Sequence, residues 1–281
     1  MSFGTRLSFD FEPDVGRDES VNRVACAIAG VVGFLAVWTA AASVVHPDYL
    51  LPGPLTVLGA LATEFTTDAP LAVPGIGGAV DLPRALTRLA QTLFHLVPGL
   101  LAGAFVGVAT GLLVGYSPRV DATVTPVIRV LRPIPELAWI AFAIVWLGIG
   151  HAGAAFIVGV GALWINYYAA YSGVDGVHEG YKEVGATLGV RTHAGMLRHV
   201  VLPAALPSVV NGFRTSIGRC LMIVVGAELF GAPGVGYEII NASNNLDMAR
   251  SMAYMLVISA VYICVDSTYA AAERRWLAWR P

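Results

Sequence analysis

The chain has 281 residues, of which 56% are hydrophobic and 13% charged, with a mean hydropathy of +0.69 and a formal net charge of −2. Soluble domains carry about 25% charged residues, so this composition excludes a water-soluble globular fold, and the same hydrophobicity excludes disorder. The balanced charge excludes nucleic-acid binding driven by bulk positive potential.

A bilayer core of about 30 Å takes about 20 apolar residues per helix, and six stretches meet that length in chain order. They run over residues 24–46, 89–116, 133–149, 152–172, 206–230 and 253–271. Residues 1–23 form a charged N-terminal tail and 272–281 a C-terminal one. The N-terminal stretch is not read as a cleaved signal. Its flank carries Asp10, Glu12, Asp14, Asp18 and Glu19 against three arginines, and its apolar run is too long. The first outer loop, 47–83, is rich in Pro, Gly and Thr, and Leu71–Ala79 reads as an irregular insertion with no assigned role.

The second span repeats glycine every fourth residue: Gly99, Gly103, Gly107, Gly111 and Gly115. Steps of 400° make one slowly drifting ribbon, a surface for close helix packing within the chain or against a second copy. Pro133 and Pro135 interrupt the third span next to Arg132 and Glu136. Broken backbone at membrane depth needs protein or an aqueous cavity around it, so these four residues are candidates for a translocation path, with Glu228 a further candidate. Gly148 to Gly153 reads as the turn between spans three and four. The fifth and sixth spans contain Arg214, Arg219 and Asp266, placed so that either arginine can reach the acid.

The positive-inside rule orients the chain. With the N-terminus inside, twelve Lys and Arg residues lie in cytoplasmic segments and three (Arg84, Arg88, Arg250) lie outside, which puts both termini in the cytoplasm of a multi-pass plasma or inner membrane protein. Lys182, after Tyr181, is the only lysine, so no GK[ST] phosphate loop exists here and any ATP-driven step belongs to another subunit. Cys26, Cys220 and Cys264 lie in apolar runs without a CxxC pair. The six histidines show no HExxH spacing, so neither a metal site nor a catalytic residue is expected.

The polar segment 177–203 is longer than a hairpin connection needs. Residues 179–188 can form a short helix stopped by Gly189, a form suited to docking a partner or to serving as a plain connector.

Glu183, Ala186 and Gly189, followed by Val200-Val201-Leu202-Pro203, resemble the EAA loop of permease subunits from binding-protein-dependent ABC importers. Val184 and Gly185 stand where that motif has two alanines, and the separation of Gly189 from Pro203 is one residue longer than the motif's. Further similarity lies in Leu51-Pro52-Gly53-Pro54, Leu131-Arg132-Pro133-Ile134-Pro135, Trp146-Leu147-Gly148-Ile149-Gly150, Ala227-Glu228 with Gly234-Val235-Gly236-Tyr237, and Glu273 to Arg280. These resemble the nitrate, sulfonate and taurine branch and cover residues 50–280 in order. The resemblance implies an all-α polytopic membrane protein with six transmembrane helices, a type I ABC importer permease architecture and a cytoplasmic coupling helix. It implies a coupling loop of Tyr181, Lys182, Glu183, Ala186 and Gly189. It implies as partners two ABC ATPase subunits, a second permease copy in a homodimer, an extracytoplasmic solute-binding protein and the lipid bilayer, with no nucleic acid. No cofactor is expected on this chain, ATP and Mg being held by the ATPase. The implied solute is small: nitrate, taurine, an alkanesulfonate or a pyrimidine vitamin precursor. An ion-gradient-driven secondary transporter is the other class considered. It needs a coupling-ion site near the midplane and does not need the 183–189 loop.

Overall fold

The computed structural model describes residues 17–47, 49–72 and 79–276. Residues 1–16, the central part of the outer-loop insertion at 73–78, and 277–281 with Trp279 and Arg280 lie outside the described residues. The chain divides into two compact units, one up to Thr56 and one from Val57. The first unit is the helix α1 (Arg17–Val44) and its exit, where Trp38 Nε1 donates to the Pro52 carbonyl at 3.1 Å. The opening of α2 (Pro54–Thr66) marks the boundary.

The second unit continues with strands β1 (Asp68–Ala72) and β2 (Ala79–Pro83), paired antiparallel from Asp68↔Pro83 to Ala72↔Ala79. Leu71 and Ala79, read from sequence as part of an irregular insertion, therefore lie in a short hairpin, with Leu71 buried beneath it. Then follow α3 (Arg84–Tyr116), α4 (Pro118–Leu131), a 3-10 turn (Glu136–Trp139), α5 (Ile140–Leu147) and α6 (His151–Asp175). The short α7 (Glu179–Thr187) and α8 (His193–Met196) lead through a π-helical stretch (Leu197–Val201) into α9 (Leu202–Glu228). Helices α10 (Val235–Asn244) and α11 (Met248–Trp276) complete the unit.

Among the described residues, five helices are long and apolar enough to cross a membrane, and α4 with the 3-10 turn and α5 makes a sixth candidate bent by 86°. The bend falls at Pro133 and Pro135. Each lacks an amide donor, and Pro135 holds ψ at 141°, outside the helical range. Residues 118–131, unassigned in the sequence reading, form α4 because Pro118 occupies its first turn, Asp121 faces its N-terminal dipole and Arg129 its C-terminal one. Helices α3 and α11 start earlier than the apolar runs predict. The charges that seemed to stop them, Arg84, Arg88 and Arg250, are each paired with a glutamate.

Helix α6 is the centre of the packing. Along one side α3 lays its glycine ribbon directly on the α6 backbone. A methyl group at Gly99, Gly103, Gly107 or Gly111 would lie 2.1–2.4 Å from the carbonyl oxygen of Ala155, Gly159, Leu163 or Tyr167. Gly115 continues the seam against Tyr171 and Val174. The ribbon is thus consumed within the chain. It is not an open face for a second copy. On its other side α6 receives α9, where Gly212 abuts Ala169 and Gly161 abuts Ile223. Leu96, Leu100, Ile140, Ile157, Val158, Leu221 and Val224 fill the core between these helices.

Candidate functional site

The two ends of α3 carry different chemistry. Thirty-three residues at 1.5 Å each separate them by about 50 Å. At the C-terminal end Tyr116 hydroxyl meets the His193 carbonyl at 3.2 Å, which ties α3 to the segment that carries α7.

His178 caps α7 by accepting from the Gly180 amide at 3.1 Å, and Glu179 adds a first-turn acid that pairs with Lys182 at 2.8 Å. Gly189 ends the helix with φ +93°, and the Val190 amide closes back on the Gly185 carbonyl at 3.0 Å. That is a Schellman stop, which favours glycine. Gly185, one of the two departures from the EAA pattern, is buried against the π-helical stretch. An added Cβ would lie 2.8 Å from Val200 Cγ2, so the alanine of the motif has no room here. Glu183 and Ala186 are exposed. Tyr181, Val184 and Leu188 are 62%, 56% and 79% exposed, and at i, i+3 and i+7 they make an exposed apolar row beside Gly185, which lies one turn after Tyr181.

The path candidates do not form one cluster. Pro133 and Pro135 are exposed in the bend. Arg132 stacks its guanidinium 4.2 Å over the Tyr168 ring. Glu136 opens the 3-10 turn and lies 3.5 Å from Arg219 on α9. Arg214 is the arginine that pairs with Asp266, at 3.2 Å.

Glu228 differs from the expectation of a path-lining acid, because it is fully buried. Its Oε1 lies 2.8 Å from His95 Nδ1 and its Oε2 accepts the Gly236 amide at 2.7 Å. His95 Nε2 in turn lies 2.6 Å from His151 Nδ1. The His95 ring thus bridges the Glu228 carboxylate and the His151 ring. The Val235 amide donates to Thr92 Oγ1 at 2.9 Å. Together these bonds seat the start of α10 on α3. Sequence reasoning assigns His95 and His151 no role, since single histidines in apolar runs give no pattern.

A second group missed from sequence lies at the same end. Glu64 takes Arg84 Nη1 and Arg250 Nε, both at 3.1 Å, and accepts from Tyr254 hydroxyl at 2.5 Å. Glu238 takes Arg88 at 2.7 Å and Arg250 at 2.6 Å. Both acids are nearly inaccessible, and five charges from α2, α3, α10 and α11 become one network. The available signal was positional: each member flanks an apolar run on the same side.

A broken span, close-packed apolar helices and a capped helix with an exposed apolar row make a helical membrane protein. Residues 99–277 match the family of binding-protein-dependent transport system inner membrane components. The chain belongs to that family. The bicarbonate transport system permease protein CmpB of Synechococcus elongatus is 29% identical over 268 residues, covering 92% of this chain and 91% of that one. The taurine transport system permease protein TauC of Escherichia coli is 28% identical over 254 residues, with 88% of each covered. A chain of the inward-facing MetNI methionine ABC transporter has the same fold, with a TM-score of 0.58 and 22% identity over 69% of this chain and 95% of its own. The protein is therefore a multi-pass membrane permease subunit of an ABC importer, whose partners are an ATPase and a solute-binding protein.

Proposed function

We propose that this permease imports a small oxyanion, that two copies form its path, and that α7 docks each copy onto an ATPase at the cytoplasmic face. ATP and Mg reside on that ATPase, and both termini of the permease are cytoplasmic. The observation that carries the docking role is the row Tyr181, Val184 and Leu188, exposed on a helix that packs tightly at Gly185 against Met196 and Val200. Exposed apolar anchors at helical spacing suit a groove on a partner, and the tight contact at Gly185 passes a push on α7 through Met196 and Val200 into α9. Orientation rests on the charge count, since Arg191 and Arg198 follow α7 and the three arginines of the opposite end are neutralised by glutamates. The oxyanion class rests on the transported solutes that name the relatives, bicarbonate and taurine. The two-copy reading is supported by Met222 and Arg219 of α9, 76% and 59% exposed on a side that a second copy would cover to complete the path.

Replacing Val184 and Leu188 by Asp tests the docking role. Each removes an anchor of about 1.5–3 kcal/mol, so co-purification of the ATPase should fall more than about tenfold while the permease stays in the membrane. Undiminished co-purification would refute the role of α7.

A further inference from the structure

Arg219 is a charged group within the α9 span whose recorded ion pair is one long contact with Glu136. It lies nine residues before Glu228 on α9, about 14 Å along the axis from that helix end. A guanidinium at such depth is costly unless it faces water, a partner or a bound charge. Its contact with Glu136 is a single approach of 3.5 Å, long for a charge-assisted bond, and leaves most of its five N–H donors uncommitted to that acid. The neighbouring arginines differ. Arg214 approaches Asp266 through Nε at 3.3 Å and Nη2 at 3.2 Å, while Arg132 is stacked on Tyr168. Arg219 also opens onto a cavity of about 610 Å³, whose wall adds the Arg214–Asp266 ion pair and the polar groups of Asn211, Thr215 and Tyr262. Its resident acid, Glu136, stands on the one-turn element after Pro135, so the ion pair joins α9 to the broken span.

We propose that Arg219 is the anion-binding residue of the path and Glu136 its displaceable counter-ion. The guanidinium offers two parallel N–H groups to an oxyanion, a geometry that the single 3.5 Å contact with Glu136 does not use. An entering sulfonate, nitrate or bicarbonate takes the donors and releases Glu136. When the anion leaves, Glu136 returns, so Arg219 is never left as a bare charge and no anion is held permanently. The inference rests on the importer reading above and adds to it the residue that meets the solute within the membrane.

The test uses the purified permease–ATPase complex and follows its thermal unfolding against nitrate, methanesulfonate and bicarbonate, with equal concentrations of chloride as reference. At least one oxyanion should raise Tm in a saturable manner. Arg219→Gln should weaken its apparent affinity at least about tenfold, Arg219→Lys should weaken it less, and Glu136→Gln should strengthen it by removing the competitor. No stabilisation by any of the three oxyanions, equal affinity in Arg219→Gln, or weaker binding in Glu136→Gln would each overturn the assignment. Should Arg219→Gln not assemble, the opposite shifts expected of Arg219→Lys and Glu136→Gln decide it. Failure of the importer reading has a separate signature, the absence of the ATPase from the purified permease.

Discussion

Gly234 is glycine because the carboxylate of Glu228 fills the space a side chain would take. A Cβ there would lie 2.2–2.6 Å from the carboxylate atoms, and one at Gly236 would lie 2.3 Å from the Val225 carbonyl. The Ala227-Glu228 and Gly234-Val235-Gly236 segments, separate similarities in sequence, are thus two halves of one contact. Gly234→Ala should force the carboxylate off Gly236 or off His95 and cost about 1–3 kcal/mol, read as a lower Tm of the purified protein. An unchanged Tm would mean that this contact is not needed for stability. At Gly185 two effects compete. Alanine would add about 0.5–1 kcal/mol of helix propensity, but a Cβ 2.8 Å from Val200 Cγ2 overpacks by about 1–3 kcal/mol. The packing term is the larger, which accounts for the departure from the motif.

The α3–α6 pair shows what periodicity discloses and what it withholds. The four-residue glycine step in α3 announces a close-packed ribbon, but not which helix meets it. The answer depends on α6 presenting Gly159 and bare carbonyls at the matching height, a relation across more than fifty residues. Gly103→Leu would push a side chain into the Gly159 carbonyl, where an added Cβ already lies at 2.1 Å. We expect that variant to lose folded membrane-inserted protein in a detergent-extraction assay, while Leu101→Ala, on the exposed face of the same helix, extracts normally. Normal extraction of both would mean that the seam tolerates separation. Helix α7 was legible because its caps are local: His178, Glu179 and Gly189 lie within twelve residues. Helices α2 and α10 and the β1–β2 hairpin were not, since each is short and is held by contacts distant in sequence, such as Thr92 with Val235.

At the scale of the molecule, charge decides which end does what. The end with the hairpin and α10 gathers three arginines and two glutamates into a network closed by Tyr254. It locks α2, α3, α10 and α11 together, and the sequence showed its members only as charges that appeared to end spans. Removing Glu238 would leave Arg88 and Arg250 without that acid. Because both arginines are about a quarter exposed, we expect Glu238→Ala to cost about 2–3 kcal/mol, below the ~3–5 kcal/mol of a fully buried pair. A fall in Tm that high salt deepens only slightly would fit, and an unaltered Tm would contradict it. The opposite end exposes α7, and α9 leaves Met222 and Arg219 open on one side. Mass spectrometry of the intact complex, extracted in mild detergent from its own membrane, addresses these features together. The account predicts two permease chains with two copies of an ATPase. The permease emerging alone, under conditions that hold another ABC importer together, would contradict it.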